Sequence, residues 1–203
     1  MKRLLDLIFV FTGIILFFPI IIPLILITII FIIIEDGFPV LYSQKRLGFN
    51  SKEFDLLKFR SMIKDAEKAT GPIWADKNND PRLTRTGKFI RKYAIDEIPQ
   101  LLNIIKGDIS LVGPRPERPE LFHKFSNSLP NFHKRLLAPQ GLTGLAQLLG
   151  NYDTPPKIKI RYDIIYIKNR SSLLDMKIII LSLLVTIIGN WQTDSRKWIR
   201  KLF

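Results

Sequence analysis

The sequence predicts a mainly α-helical protein with a small β-hairpin, in which an N-terminal membrane segment precedes one compact domain. Three observations support this fold class. Residues 7–34 form a run of 28 residues without a charged side chain. Two strand-like segments flank a short turn at Gly48–Ser51, and apolar residues at helical spacing follow Asp96. At 203 residues, the chain suits one domain with an appendage.

The uncharged run at residues 7–34 is long enough to be a membrane segment. We expect it to be uncleaved, because it is too long for a signal peptide and the first alanine of the chain is Ala66. Pro19 and Pro23 lie near its middle, where each removes a backbone hydrogen bond and favours a kink. Basic residues lie on both sides of the run. A tilted spanning helix and a segment that bends near Pro19 and returns to the same side fit these features equally well.

The hairpin is expected to consist of residues 40–46 and 53–60, because the loop between them carries the glycine and asparagine typical of hairpin turns. Residues 65–81 are polar and contain a Gly-Pro and an Asp-Pro pair, which break regular structure. We therefore expect a mobile loop there, near the functional site.

Composition limits the classes of function. The 31 lysines and arginines exceed the 18 acidic residues, for a net charge of +13, which favours a polyanionic partner such as nucleic acid, anionic lipid or a phosphorylated substrate. The absence of cysteine excludes disulfides, thiolate nucleophiles and zinc–thiolate sites. The only histidines, His123 and His133, match no metal-ligand spacing.

Two adjacent carboxylates, Asp96 and Glu97, stand where a helix is predicted to begin. Asp96 is a candidate N-cap, Pro99 suits the first turn, and Lys106-Gly107 is a typical helix end. Taken alone, a capping acid beside a solvated acid is the commoner interpretation of such a pair. Anionic chemistry is the alternative, because Arg115 follows in a stiff Gly-Pro-Arg-Pro turn and a basic row leads into the pair. The members of that row are Arg82, Arg85, Lys88, Arg91 and Lys92.

Three further segments complete the chain. Residues 140–147 place two glycines and a threonine in a predicted turn that would let backbone approach a ligand. The apolar run at residues 178–188 is too short to span a bilayer and predicts a buried or interfacial helix. Tryptophan alternates with lysine and arginine in residues 191–203, which predicts a segment at the lipid headgroups, with a basic tail packed on the domain as the alternative.

Several motifs together resemble the bacterial sugar transferase family, the small monotopic polyprenol-phosphate phosphoglycosyl transferases. The likeness runs in order along essentially the whole chain. The segments that carry it are Lys2–Asp6, DPRLTRTGKFIR at residues 80–91, DEIPQLLN at 96–103, KGDISLVGPRP at 106–116, GLTGLAQ at 141–147 and RYDIIYIKN at 161–169.

The resemblance implies a two-step reaction. The acid matching Asp96 attacks the sugar-proximal phosphorus of a UDP-sugar, expels UMP and carries the phosphosugar, which a polyprenol phosphate then accepts. The resemblance implies Mg²⁺ as cofactor, with Glu97 as its ligand and Asp96 beside it. Arg91 and Arg115 are the implied phosphate-binding residues, followed by Lys58 and Arg60.

The resemblance also implies a re-entrant membrane helix over residues 1–36, bent at Pro19 and Pro23, and a catalytic domain over residues 37–203 with interfacial helices. The expected partners are a UDP-sugar, polyprenol phosphate and membrane lipids, without nucleic acid, and a homodimer is left open. The expected location is the bacterial inner membrane, with the catalytic domain on the cytoplasmic face.

A membrane-anchored basic protein that binds anionic lipid or nucleic acid is the competing hypothesis, because the net charge and the basic C-terminal segment would also serve binding alone. The basic row from Arg82 to Lys92 includes only Phe89 as an aromatic residue. Single-strand binders interleave aromatic and basic residues more densely, so the transferase hypothesis is favoured.

Overall fold

The structure is a computed structural model that describes residues 2–68, 71, 80–150, 154–189, 191, 199 and 202–203. Within them the chain is mainly helical with a small β-hairpin, as predicted. The helices are α1 (Lys2–Asp36), α2 (Arg85–Lys92), α3 (Gln100–Lys106), α4 (Pro119–Ser128), α5 (Leu145–Leu149), α6 (Pro156–Asn169) and α7 (Ser172–Ile188). The strands are β1 (Leu41–Leu47), β2 (Glu53–Phe59), β3 (Ser110–Val112) and β4 (Gly141–Thr143).

The predicted hairpin is confirmed. Strands β1 and β2 pair antiparallel, from Leu41 opposite Phe59 to Leu47 opposite Glu53. A 3₁₀ turn at Phe49–Ser51 joins them, and Asn50 takes a left-handed conformation (φ 53°) that asparagine tolerates better than most residues.

A second pair of strands was not predicted. Strand β3 lies parallel to β4, with Ser110 opposite Gly141 and Val112 opposite Thr143. The expectation of a simple turn at residues 140–147 is therefore wrong, because β4 occupies its first half. Strands of three residues are too short for a periodic signal, and their partners lie far apart in the chain.

Close backbone approach at Gly113 holds the turn that follows β3. Its amide donates to the carbonyl of Thr143 at 2.9 Å, and the amide of Gly141 donates to the carbonyl of Pro114 at 2.9 Å. A Cβ atom on Gly113 would lie 2.1 Å from the carbonyl oxygen of Pro139. Only glycine fits there, so the turn that carries Arg115 is fixed against β4.

The first turns of α1 bind to the rest of the protein through polar side chains. The buried carboxylate of Asp6 accepts from the hydroxyl of Ser110 at 2.7 Å and from the amide of Leu111 at 3.2 Å. Arg3 donates to the carbonyls of the last turn of α3. Lys2 lies 2.5 Å from the carboxylate of Asp175 on α7.

The last turn of α1 binds to the same domain. The two carboxylate oxygens of Glu35 accept from the amides of Arg85 and Thr86, at 2.6 and 2.8 Å, at the start of α2. The carboxylate of Asp36 lies 3.1 Å from the guanidinium of Arg60. Both ends of this long helix are therefore attached to one folded body.

The middle of α1 is exposed. Its helical assignment runs without interruption through Pro19 and Pro23. Ile15 is 75% exposed and Ile20 is 64% exposed, whereas Val10 and Ile32, near the two ends, are buried. Among the described residues, α1 is the one helix long and apolar enough to cross a membrane, and we conclude that the protein associates with one. The bend at the prolines stays a prediction.

The predicted C-terminal apolar helix is confirmed as α7. One face contributes Ile178, Leu181 and Val185 to a core shared with α5 and α6, while Leu173 and Ile187 on the other face are more than 70% exposed. Most of the predicted loop at residues 65–81 and of the interfacial segment at 191–203 lies outside the described residues.

Candidate active site

Asp96 and Glu97 lie in a 3₁₀ turn, Ile95–Glu97, between α2 and α3. The prediction that Asp96 caps α3 is wrong: the helix begins at Gln100 with Pro99 at its N-cap, and no side chain caps it. The physical cause is local, because Ala94 takes a left-handed conformation (φ 53°) that turns the chain tightly before the acids. Both carboxylates are thereby left for other contacts.

The end of α3 is as predicted. Gly107 takes the left-handed conformation (φ 93°), and its amide donates to the carbonyls of Asn103 and Ile104, both at 3.0 Å. Lys106 lies in the last turn, where a cation is favoured.

Asn103 aligns α3 with the hairpin. Its side-chain oxygen accepts from the amide of Leu57 at 3.0 Å, and its side-chain nitrogen donates to the carbonyl of Asp55 at 2.8 Å. The residue is almost fully buried, so these hydrogen bonds fix β2 against α3. Lys58, the next residue on β2, is brought to the acid pair as a result.

The two acids differ in their contacts. Glu97 accepts from the ammonium of Lys58 at 2.8 Å and from both terminal nitrogens of Arg115. Asp96 has Lys58 at 3.8 Å, the one ion pair recorded for it among the described residues. Glu97 is therefore neutralised by two cations, while Asp96 shares only one of them.

The difference in contacts sets the ionisation of each acid. Burial raises the pKa of Asp96 above its ordinary value, and the attraction of Lys58 opposes this without reversing it. Burial would also raise the pKa of Glu97, but the guanidinium of Arg115 and the ammonium of Lys58 hold that pKa well below its ordinary value. Glu97 is the fixed anion of the pair, and Asp96 is the more basic carboxylate.

The other two expected phosphate-binding residues lie near the pair without touching it. Arg91, in the last turn of α2, donates through Nε to the hydroxyl of Ser61 at 2.8 Å and stabilises the charge of Asp96. Arg60 donates to the carbonyls of Asp36 and Gly37 at 2.7 and 2.6 Å, so it anchors the end of α1. The structure brings together Lys58, Arg115 and the acids, and Arg60 does not join them.

All of these side chains line one cavity of about 1210 Å³. The part of its wall near the acids is charged, and Arg91 and Arg115 lie on it. We call this the charged end. Sequence analysis did not single out six further basic residues that line the cavity, because most of them are scattered along the chain. They are Arg46, Lys64, Lys68, Arg118, Arg135 and Lys159.

Another part of the lining is apolar, and we call it the apolar end. It is formed by Ile98, Ile179 and Leu183. A second, mostly apolar pocket of about 380 Å³ shares Ile98 with this end and is also lined by Leu24 on α1 and Phe89 on α2. Ile98, the residue after Glu97, therefore lines both the cavity and a pocket that the membrane helix also lines.

Comparison with known proteins identifies the family. The family model for bacterial sugar transferases matches residues 1–189. A protein of Bacillus subtilis (strain 168), provisionally named as an undecaprenyl-phosphate N-acetylgalactosaminyl 1-phosphate transferase, is 48% identical over 135 residues, covering 66% of this chain and 72% of that protein.

Two longer relatives also match the chain. The UDP-N-acetylgalactosamine-undecaprenyl-phosphate N-acetylgalactosaminephosphotransferase of Aeromonas hydrophila is 39% identical over 176 residues, covering 84% of this chain and 41% of that protein. The undecaprenyl-phosphate galactose phosphotransferase of Salmonella typhimurium (strain LT2) is 38% identical over 148 residues, covering 66% of this chain and 30% of that protein. The chain spans less than half the length of these two relatives. With a family model that matches nearly its whole length, the chain belongs to the bacterial sugar transferase family.

Proposed function

We propose that this protein transfers a sugar-1-phosphate from a UDP-sugar to polyprenol phosphate in the membrane and releases UMP. Family membership and the activities named for the relatives support the reaction class. The observation that carries the proposal is the placement of Asp96 and Glu97 in one cavity with a charged end and an apolar end. Such a cavity suits one substrate that is wholly polar and a second whose phosphate is attached to a lipid.

In the first step, a carboxylate oxygen of Asp96 attacks the sugar-proximal phosphorus. The bond between that phosphorus and the bridging oxygen breaks, and the bridging oxygen leaves with UMP. In the second step, an oxygen of the polyprenol phosphate attacks the same phosphorus, and the bond to Asp96 breaks. Atoms and charges balance in both steps without a further reactant.

The surroundings of Asp96 suit a nucleophile. The carboxylate is buried, which removes water that would compete for the phosphorylated intermediate. Its raised pKa increases its basicity, and Lys58 at 3.8 Å favours the ionised form that attacks. Glu97 is held by two cations, and this makes it the weaker nucleophile of the pair.

The family resemblance implies Mg²⁺, and the residues present fit the ion. Mg²⁺ binds through one or two carboxylates and completes its shell with water and substrate phosphate, so Glu97 and Asp96 could hold it with substrate oxygens. Among the described residues, no cluster of three or more acidic, histidine or cysteine side chains offers another site. When bound, the ion would offset the negative charge of the diphosphate. Lys58 and Arg115 would orient Glu97 toward it.

A panel of UDP-sugars with undecaprenyl phosphate and Mg²⁺ tests the function, with UMP release as the readout. We expect UMP release from at least one UDP-sugar and, without acceptor, a phosphosugar on Asp96 detected by mass spectrometry of the intact protein. Release of no UMP across the panel would refute the proposed reaction.

We also propose that α1 enters one leaflet and returns, at the cytoplasmic face of the bacterial inner membrane. The support is that Asp6 and Glu35, near the two ends of the helix, bind to one domain while residues midway between them, such as Ile15 and Ile20, are exposed. A spanning helix would separate its ends by the roughly 30 Å thickness of the hydrocarbon core. Tags on either end of the chain should react only from the cytoplasmic side, and periplasmic labelling of the N-terminal tag would exclude the re-entrant topology.

A further inference from the structure

The charged end of the cavity contains a second group of cations beyond the acid pair. Arg46, Arg118 and Lys159 line the same cavity, and we call these three residues the basic wall. Arg46 comes from β1, Arg118 directly precedes α4, and Lys159 lies on α6. None of the three has an ion pair recorded with Asp96 or Glu97, and the catalytic steps above do not use them.

The basic wall is built onto the turn that carries Arg115. Arg46 donates to the carbonyl of Pro116 at 3.0 Å, and Arg135 donates to the carbonyl of Arg115 at 3.0 Å. Arg135 is almost fully buried and lies 3.0 Å from the carboxylate of Asp163. The guanidinium groups of Arg46 and Arg135 therefore hold the backbone of this turn, and the side chain of Arg115 contacts Glu97.

Two members of the basic wall already pair with carboxylates: Arg46 lies 3.6 Å from Glu117, and Arg118 pairs with Glu67. Burial nevertheless lowers the pKa of Arg46 to about 10, because the attraction of Glu117 is opposed by the repulsion of Arg115 and Arg118. Burial also lowers the pKa of Lys159, where Glu117 and Asp163 oppose the shift and Arg135 and Arg115 add to it. Within the described structure, Nε of Arg46 and one terminal nitrogen of Arg118 are buried without a hydrogen-bond partner. An anion bound there would relieve both the repulsion and the missing hydrogen bonds.

We propose that Arg46, Arg118 and Lys159 form a second anion subsite. It holds the nucleotide phosphate of the donor, which becomes the phosphate of the departing UMP. This inference rests on the proposed function. A nucleoside diphosphate sugar has two phosphates joined by one oxygen, so a group that binds the second must lie close to the group that binds the first. Arg46 donates to the carbonyl of Pro116, the residue that follows Arg115, and Arg115 contacts Glu97, so this part of the basic wall lies close to the acid pair.

The subsite would act on the leaving group. When the bond between the bridging oxygen and the sugar-proximal phosphorus breaks, the electron pair stays on the bridging oxygen, and the nucleotide phosphate gains one negative charge. Cations fixed beside that phosphate stabilise the charge as it develops. The acceptor has a single phosphate, which attacks the phosphorus bound to Asp96. It therefore needs no contact with the basic wall.

The test uses two variants and a matched control in the full-length protein in detergent. Lys159→Gln and Arg118→Gln each remove a charge from the basic wall, and Lys157→Gln removes an exposed lysine from the same helix, α6, outside the cavity. The affinity for UMP is measured by calorimetry, and KM is measured separately for the UDP-sugar and for undecaprenyl phosphate. Thermal unfolding confirms that each variant is folded.

We expect each basic-wall variant to weaken UMP binding and raise the donor KM by about tenfold, the effect of losing one charged hydrogen bond. The acceptor KM should change by less than twofold, and Lys157→Gln should match the wild type. Unchanged UMP affinity in both folded variants, or a rise in the acceptor KM alone, would overturn the subsite while leaving the transferase intact. A wild-type protein that neither binds UMP nor releases it from any UDP-sugar would overturn the transferase and the subsite together.

Discussion

The two ends of the cavity differ in what they offer a substrate. At the charged end, Lys58 and Arg115 both contact Glu97. The apolar end is formed by side chains such as Ile179 and Leu183, and its Ile98 also lines the pocket that includes Leu24 of α1. Asp96 lies on the wall of the same cavity.

Under the proposed function, this difference explains how one buried carboxylate could serve two unlike substrates in turn. The charged end would take the soluble donor, and the apolar end would take the lipid chain of the acceptor. If this division is correct, changes at the charged end should affect chemistry and the donor. Changes at the apolar end should affect only the acceptor.

The largest effect is expected at Asp96. Asp96→Asn removes the nucleophile, and we expect turnover to fall by at least about a thousandfold, with no phosphosugar detected on the protein. UMP release is the measurement. Asp55→Asn is the control, because that carboxylate is exposed and, among the described residues, its one ion pair is with Lys45 on the surface. An Asp96→Asn protein that keeps a tenth of the wild-type rate would contradict the nucleophile assignment.

Removal of the metal, or of its proposed ligand, comes next. EDTA should abolish UMP release and added Mg²⁺ should restore it, and Glu97→Gln should lower turnover by about a hundredfold or more, since the diphosphate charge is then poorly offset. The measurement is a titration of the rate against Mg²⁺. Full activity of the wild type in EDTA would rule out the metal, and an unchanged Mg²⁺ titration in Glu97→Gln would rule out the ligand role.

A smaller effect is expected at Arg115. Arg115→Met removes a guanidinium that contacts Glu97, and we expect kcat to fall about tenfold to a hundredfold. Arg115→Lys should recover only part of the loss, because one ammonium cannot reproduce two parallel contacts. Complete recovery with lysine would show that charge alone, without the paired geometry, is sufficient.

The smallest effect is expected at the apolar end. Leu183→Asn places an amide on the cavity wall, and we expect the KM for undecaprenyl phosphate to rise about threefold to tenfold, from the loss of apolar contact. The donor KM should stay within twofold. Leu184→Asn changes the neighbouring exposed leucine, which does not line the cavity, and is the matched control. Equal changes in the donor KM and the acceptor KM would contradict the assignment of the apolar end to the acceptor alone.

Parts of the fold with a strong local signal were predictable. The hairpin, the end of α3 at Gly107 and the apolar helix α7 each follow from residues adjacent in the chain. The short parallel pair of β3 and β4 was not predictable from periodicity, because each strand has three residues and the two meet only in the folded protein. The 3₁₀ turn at the acids was missed for a related reason: it depends on the left-handed conformation of Ala94, a residue that usually favours the right-handed helix.

The sequence by itself determined the chemical inventory: a long apolar segment, an adjacent pair of acids, a large excess of cations and an ordered set of family motifs. These features can be read from adjacent residues or from composition, because the chemistry of a side chain does not depend on the fold. Only the tertiary structure decided which cations meet which acid. Burial and contact geometry gave Glu97 two cations and Asp96 a share of one, directed Arg60 to the end of α1, and gathered Arg46, Arg118 and Lys159 from three distant elements onto one wall. Electrostatic interactions at these distances depend on position in space, which separation along the chain does not encode.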